Sequence, residues 1–168
     1  MSHLIEEYAK NLGVKTAKPI VIPHFFPLKY DKFIVLDLQN ETPSKDYHHY
    51  RTFISLISPA LKQKGIKLMY VGVDEYIMGV DEHMDSSFKN LAYIISKSLL
   101  YIGVDNQLAQ YASSIGIKTL ILFGNSYANI TKPYWGNTIC LEPTWKGRPC
   151  YADRDPYQNI DRILPEVV

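Results

Sequence analysis

Apolar positions along this chain follow two rhythms in turn. Short, nearly unbroken apolar runs at 33–38, 67–73, 100–104 and 118–123 read as strands buried on both faces, and 138–141 as a fifth. Between them the spacing turns helical. Residues 47–64 place Tyr50, Phe53, Ile54, Ile57 and Leu61 on one face, and Gly65 ends the run. Residues 87–98 do the same with Phe88, Leu91, Ile94 and Ile95; 106–115 form a helix stopped by Gly116, and 157–164 a short last one. Ahead of this alternation, 3–12 carries Leu4, Ile5, Tyr8, Ala9 and Leu12 at helical spacing, with Ser2 to cap its start and Gly13 to end it. Pro19, Pro23 and Pro27 then punctuate an extended stretch. Strands alternating with such helices predict βαβ units, hence a Rossmann-like three-layer α/β/α domain with a parallel sheet. The expected layout is one domain over 1–168: a lead-in helix and extended segment over 1–30, then an α/β core over 31–168.

Composition supports that picture and removes several function classes. With 168 residues, 46% apolar and 21% charged, the chain can bury a core without disulfide or metal staples. A net charge of +1 without a lysine/arginine stripe argues against a nucleic-acid partner. Cys140 and Cys150 are too few for a disulfide framework and form no C-x-x-C pair, so reduced thiols and no metal site are expected. The first residues do not read as a secretory leader, and no apolar run approaches the roughly 18 residues of a membrane span. A cytoplasmic location follows as an expectation. There is no Gly-x-Gly-x-x-Gly after the first strand, no Walker A sequence and no Gly-x-Ser-x-Gly elbow.

An open parallel sheet binds ligands beyond the carboxyl ends of its strands. That rule selects the loops at 39–46, 74–86, 105–107 and 124–137. Asp105 follows a strand directly, and the free amides of the next helix, near Asn106, Gln107 and Leu108, form an anion site. Asp105 either caps that helix or faces a ligand. Gly124 and Ser126 follow the next strand, where glycine permits close backbone approach or ends the strand in a turn. Lys45 is a point charge for phosphate or a solvated lysine. His48 and His49 would diverge by about 100° on a helix and read as solvated. Asp81, Glu82, His83 and Asp85 read as a solvated acidic loop, with oxygen ligation of a cation as the other option. The late aromatics, among them Tyr127, Tyr134, Trp145 and Tyr151, serve packing, stacking on a ligand or docking of another domain.

Residues 101–135 (YIGVDNQLAQYASSIGIKTLILFGNSYANITKPYW) resemble a hallmark stretch of the heptosyltransferase-like, family 9 glycosyltransferases. Asp105, Gly116, Leu122-Phe123-Gly124 and Thr131-Lys132-Pro133-Tyr134 stand at corresponding places. The segment 3–14, Lys45-Asp46-Tyr47, Phe88-Lys89-Asn90-Leu91 and Gly147-Arg148-Pro149-Cys150-Tyr151 extend the likeness in order along the chain. The resemblance implies the C-terminal, donor-binding half of a GT-B fold, with a nucleotide-diphosphate sugar, often ADP-heptose, as ligand and neither cofactor nor divalent metal. By it, Asp105 with Asn106 and Gln107 would face the diphosphate or sugar, Lys45 the phosphate, and Gly124 and Ser126 the nucleotide. Thr131 would stand nearby, and Glu82 would reach the ribose. Gln107, Gln110 and Asn125 depart from the family's glycine, histidine and proline. An acceptor half is not expected within this length, so its catalytic base has no counterpart here and no catalytic residue is assigned. Transfer to a hydroxyl acceptor would need a separate acceptor-domain chain or a homo-oligomer. The alternative is a non-catalytic nucleotide-sugar binding module or an interaction domain.

Overall fold

The computed structural model describes residues 2–72 and 76–168. Val73, assigned above to the second strand, and the first two residues of the 74–86 loop lie outside them. Helix α1 (Leu4–Leu12) leads in, and strand β1 (Phe33–Asp37) opens the core. A 3₁₀ turn (Pro43–Lys45), helix α2 (Tyr50–Gln63) and strands β2 (Lys67–Val71) and β3 (Glu82–Met84) follow. Next come α3 (Phe88–Lys97), β4 (Tyr101–Val104), α4 (Gln107–Ser114), β5 (Thr119–Leu122), the single-turn α5 (Ala128–Thr131), β6 (Thr138–Leu141) and a 3₁₀ turn (Asn159–Arg162).

The strands form one sheet in the order β3-β2-β1-β4-β5-β6, parallel at every pairing. Chain order reverses between β1 and β4, the point where such sheets open a crevice. All of β1 is buried, as the unbroken apolar run predicts. Phe33 and Val35 join α3 and α4 in one core, while Ile34 and Leu36 join α2 in the other. This period of two places a helical layer on each face of the sheet.

Local chemistry sets the helix ends. Ser87 caps α3 by accepting from the Asn90 amide, and α3 buries Leu91, Ala92, Ile94 and Ile95. The cap of α1 is His3 rather than Ser2, because the helix starts at Leu4. The His3 ring accepts from the Ile5 amide, and Gly13 ends the helix at φ 65°. After α1, Val21, Phe26, Leu28 and Tyr30 lay the lead-in against the core.

Four sequence expectations are corrected. Helix α2 starts at Tyr50, not at 47, because residues 47–49 anchor the C-terminal segment. The buried Tyr47 hydroxyl donates to the Ile163 carbonyl at 2.6 Å. His48 and His49 are not helix residues: His48, exposed as expected, pairs through Nδ1 with Asp161 at 2.7 Å, and the half-buried His49 meets the Asp161 carbonyl through Nε2 at 2.9 Å. The segment read as a helix over 157–164 is a 3₁₀ turn at its centre. The acidic loop contains a strand, β3, too short and polar to show as an apolar run. Two of its charges are paired, Asp81 with Lys67 at 2.7 Å and Glu82 with Lys29 at 2.6 Å.

Candidate functional site

The switch point between β1 and β4 is built around a buried acid. Asp37, the last residue of β1, is only 4% exposed. Its Oδ2 accepts from the Tyr101 hydroxyl at 2.5 Å and from Asn106 Nδ2 at 2.7 Å. Burial pushes the Asp37 carboxyl up to about 6, and these two donors limit the rise. Asn106 then caps α4, its Oδ1 accepting from the Ala109 amide at 3.0 Å. Asp37 thus holds the residue that holds the helix. Sequence reasoning missed Asp37; the available signal was a lone charge inside an apolar strand.

Because Asn106 is the cap, Asp105 is not, and its side chain faces a cavity. The Lys45 ammonium donates to the Asp105 carbonyl at 2.8 Å and lies 3.6 Å from its carboxylate. Burial raises the Asp105 carboxyl above the ordinary range; Lys45, then Gln110 and Ser126, pull it back. Ser126 Oγ shares a 2.9 Å hydrogen bond with Thr131 Oγ1, and Gln110 Nε2 donates to the Thr131 carbonyl at 3.0 Å. A lysine has three N–H donors, so the donor spent on Asp105 leaves Lys45 others for an anion.

The cavity they line is about 290 Å³, and its further wall comes from Tyr151, Ala152 and Asp153. This strap is fastened to both loops. The Ser44 amide donates to the Asp153 carbonyl at 3.0 Å, and Ser44 Oγ to the Ala152 carbonyl at 2.6 Å. Asn125 Nδ2 donates to Ser44 Oγ at 3.0 Å. A second cavity of about 280 Å³, lined by Asp37, Gln39, Glu41 and Asp46 among others, shares the 39–46 loop. A larger one, about 470 Å³, lies between α2 and residues 78–81 and shares no lining residue with either.

The structure therefore brings Lys45, Asp105, Ser126 and Thr131 together. Asn106 stands behind them as cap, and Gln107, exposed at the first position of α4, does not line the cavity. Gly124 serves close approach of another kind: a Cβ there would come within 2.4 Å of Ile160 Cβ and 2.7 Å of the Ser44 carbonyl, so the tight neighbour is the protein itself. Glu82 sits on β3 at the sheet edge, on Lys29. Thr42, Ala152 and Asp153 are lining residues that no sequence reading singles out; Tyr151 is there one of several late aromatics, and Asn125 a departure from the resembled family's proline. They lie in irregular segments whose folding no periodicity encodes.

The strand order and the two helical layers define a doubly wound, Rossmann-like α/β domain with its crevice at the β1/β4 switch point. Solved glycosyltransferases share this fold. The glycosyl transferase family 9 structure from Veillonella parvula superposes with a TM-score of 0.65 at 17% identity, covering 96% of this chain and 46% of that one. E. coli heptosyltransferase WaaC with ADP gives 0.64 at 15% identity, covering 96% and 52%. E. coli ADP-heptose lps heptosyltransferase II gives 0.60 at 14% identity, covering 99% and 49%. The chain spans about half the length of the solved structures it matches, and at these identities the likeness is one of fold. No family model matches the sequence, and no curated protein matches it.

Proposed function

We propose that this domain binds a nucleotide-diphosphate sugar in the cavity between Lys45 and the start of α4. One observation carries the reading: Lys45 and Asp105, from loops on either side of the switch point, meet over a polar cavity beside a helix N-terminus. A helix N-terminus and an ammonium favour a diphosphate. The carboxylate of Asp105 and the hydroxyls of Ser126 and Thr131 suit the hydroxyl groups of a sugar. An ADP-heptose-like donor is the specific form of the proposal, supported by the sequence resemblance and by the shared fold. Transfer to a hydroxyl acceptor then requires a second α/β half, supplied by further chain, by a partner chain or by a second copy.

Thermal-shift titration with ADP-, GDP-, UDP- and CDP-sugars and the free diphosphates tests the site. A ligand at about 100 times its dissociation constant stabilises the native state by roughly 2.7 kcal/mol. A shift with one nucleotide class that Asp105→Ala abolishes is the expected result. Equal shifts in the wild type and in Asp105→Ala would move the ligand to another cavity.

A further inference from the structure

The strap that walls the cavity is held in a backbone conformation unfavourable to its own side chain. Tyr151 has φ 51°, in the left-handed region that glycine occupies readily and a residue with a Cβ does not. Such conformations persist where the surroundings over-determine them, and they gather at ligand clamps. Here the surroundings are Asn125 and Ser44. Asn125, 6% exposed, accepts from the Tyr151 amide at 2.9 Å through its carbonyl and donates from its side chain to Ser44 Oγ at 3.0 Å. Ser44 in turn fixes Ala152 and Asp153. The clamp grips only backbone. Tyr151 itself stays 53% exposed and is one of the residues lining the cavity. Ordinary packing would bury the ring. A strained backbone carrying an exposed tyrosine in the wall of a polar cavity suits a ligand contact.

We propose that Tyr151 is a ligand-contacting, specificity-determining residue of this site, positioned by Asn125, and that its ring stacks on a ring face of the bound nucleotide sugar. This inference rests on the reading of the cavity given above. It assigns to the strap the discrimination between ligands that present a flat or apolar ring face there and those that do not. Lys45 and Asp105 recognise the charged and hydroxylated parts common to the class.

A structural role and a ligand role for Tyr151 predict opposite outcomes for Tyr151→Gly. Glycine relieves the left-handed strain, so a ligand-contacting tyrosine should be replaced with the melting temperature unchanged or raised. Affinity should fall about tenfold or more, the scale of a lost stacking contact. Tyr151→Phe keeps the ring and should keep the affinity. The measurements are the melting temperature without ligand and calorimetric titration of each protein with the nucleotide sugars named above. Wild-type affinity in Tyr151→Gly would sink the inference and leave the site reading standing. A lowered melting temperature would make the ring a packing element and sink it likewise. A wild-type protein that binds none of the panel would remove the site reading and this inference together.

Discussion

Helices α1 and α3 carry the same kind of apolar stripe, and each has a side-chain cap, yet α3 buries four residues and α1 buries none. The stripe of α3 lies on the sheet against Phe33, Val35 and Tyr101. Helix α1 meets the domain through polar and ring contacts near its start. His3 Nε2 donates to the Lys132 carbonyl at 2.7 Å, Tyr134 donates to Glu6 at 2.9 Å, and the His3 and Tyr134 rings meet edge-on. Tyr8 and Leu12 remain exposed. An amphipathic stripe therefore specifies a helix and its face, while the energy of that face depends on whether another surface covers it.

Substitutions can sharpen this contrast. Ile94→Ala in α3 removes a side chain that is 1% exposed and should cost about 2–5 kcal/mol in urea unfolding. A loss below about 1 kcal/mol would mean that the α3 face is loosely packed. The same core layer tests what burial does to charge. Asp37 has a folded-state value of about 6 against an ordinary 3.8. A raised acid favours the proton in the folded state, so its ionisation opposes folding at neutral pH. That penalty fades as pH falls from about 6 and is gone below 3.8. Asp37→Asn keeps an acceptor oxygen for Tyr101 and Asn106. It should stabilise the domain by up to about 3 kcal/mol at pH 7.5, with the gain shrinking toward pH 4. A variant equally stabilised at both pH values would break the linkage. Leu12→Ser, on the uncovered stripe of α1, should change stability by less than about 0.5 kcal/mol. A loss near that of Ile94→Ala would show that another surface covers α1 in solution.

The parts of the fold that repeat were legible in the sequence. Buried parallel strands and one-sided helices leave periods of two and of 3.6, and these located β1, β2, β4 and β5 and the helices between them. Strand β3 was hidden because three residues ending in Met84 carry no pattern, and its acids took the look of a loop. Part of the candidate cavity was legible as well, because the carboxyl-end rule pointed to the loops of Lys45, Asp105 and Ser126. The cap was harder. Asp105 and Asn106 are both good caps, and only the bond from Asn106 to Asp37, across the switch point, decides which of them serves. The placing of the Tyr151–Asp153 strap against the cavity was beyond sequence reasoning, although Tyr151 counted among the aromatics that could stack on a ligand. Its place is fixed by a few hydrogen bonds to Ser44 and Asn125, the former more than a hundred residues away in the chain.

The all-parallel sheet also constrains how this chain reaches its fold. No hairpin joins any neighbouring strands in it, and Val35 on β1 finds its β4 neighbour at Tyr101. During synthesis, β1 emerges before β4, so their pairing must wait until the ribosome has delivered α3 and β4. The crevice between them therefore cannot close before that pairing is made. A long chain loop must be ordered before that pairing returns any free energy, which places this domain among the slower folders for its size.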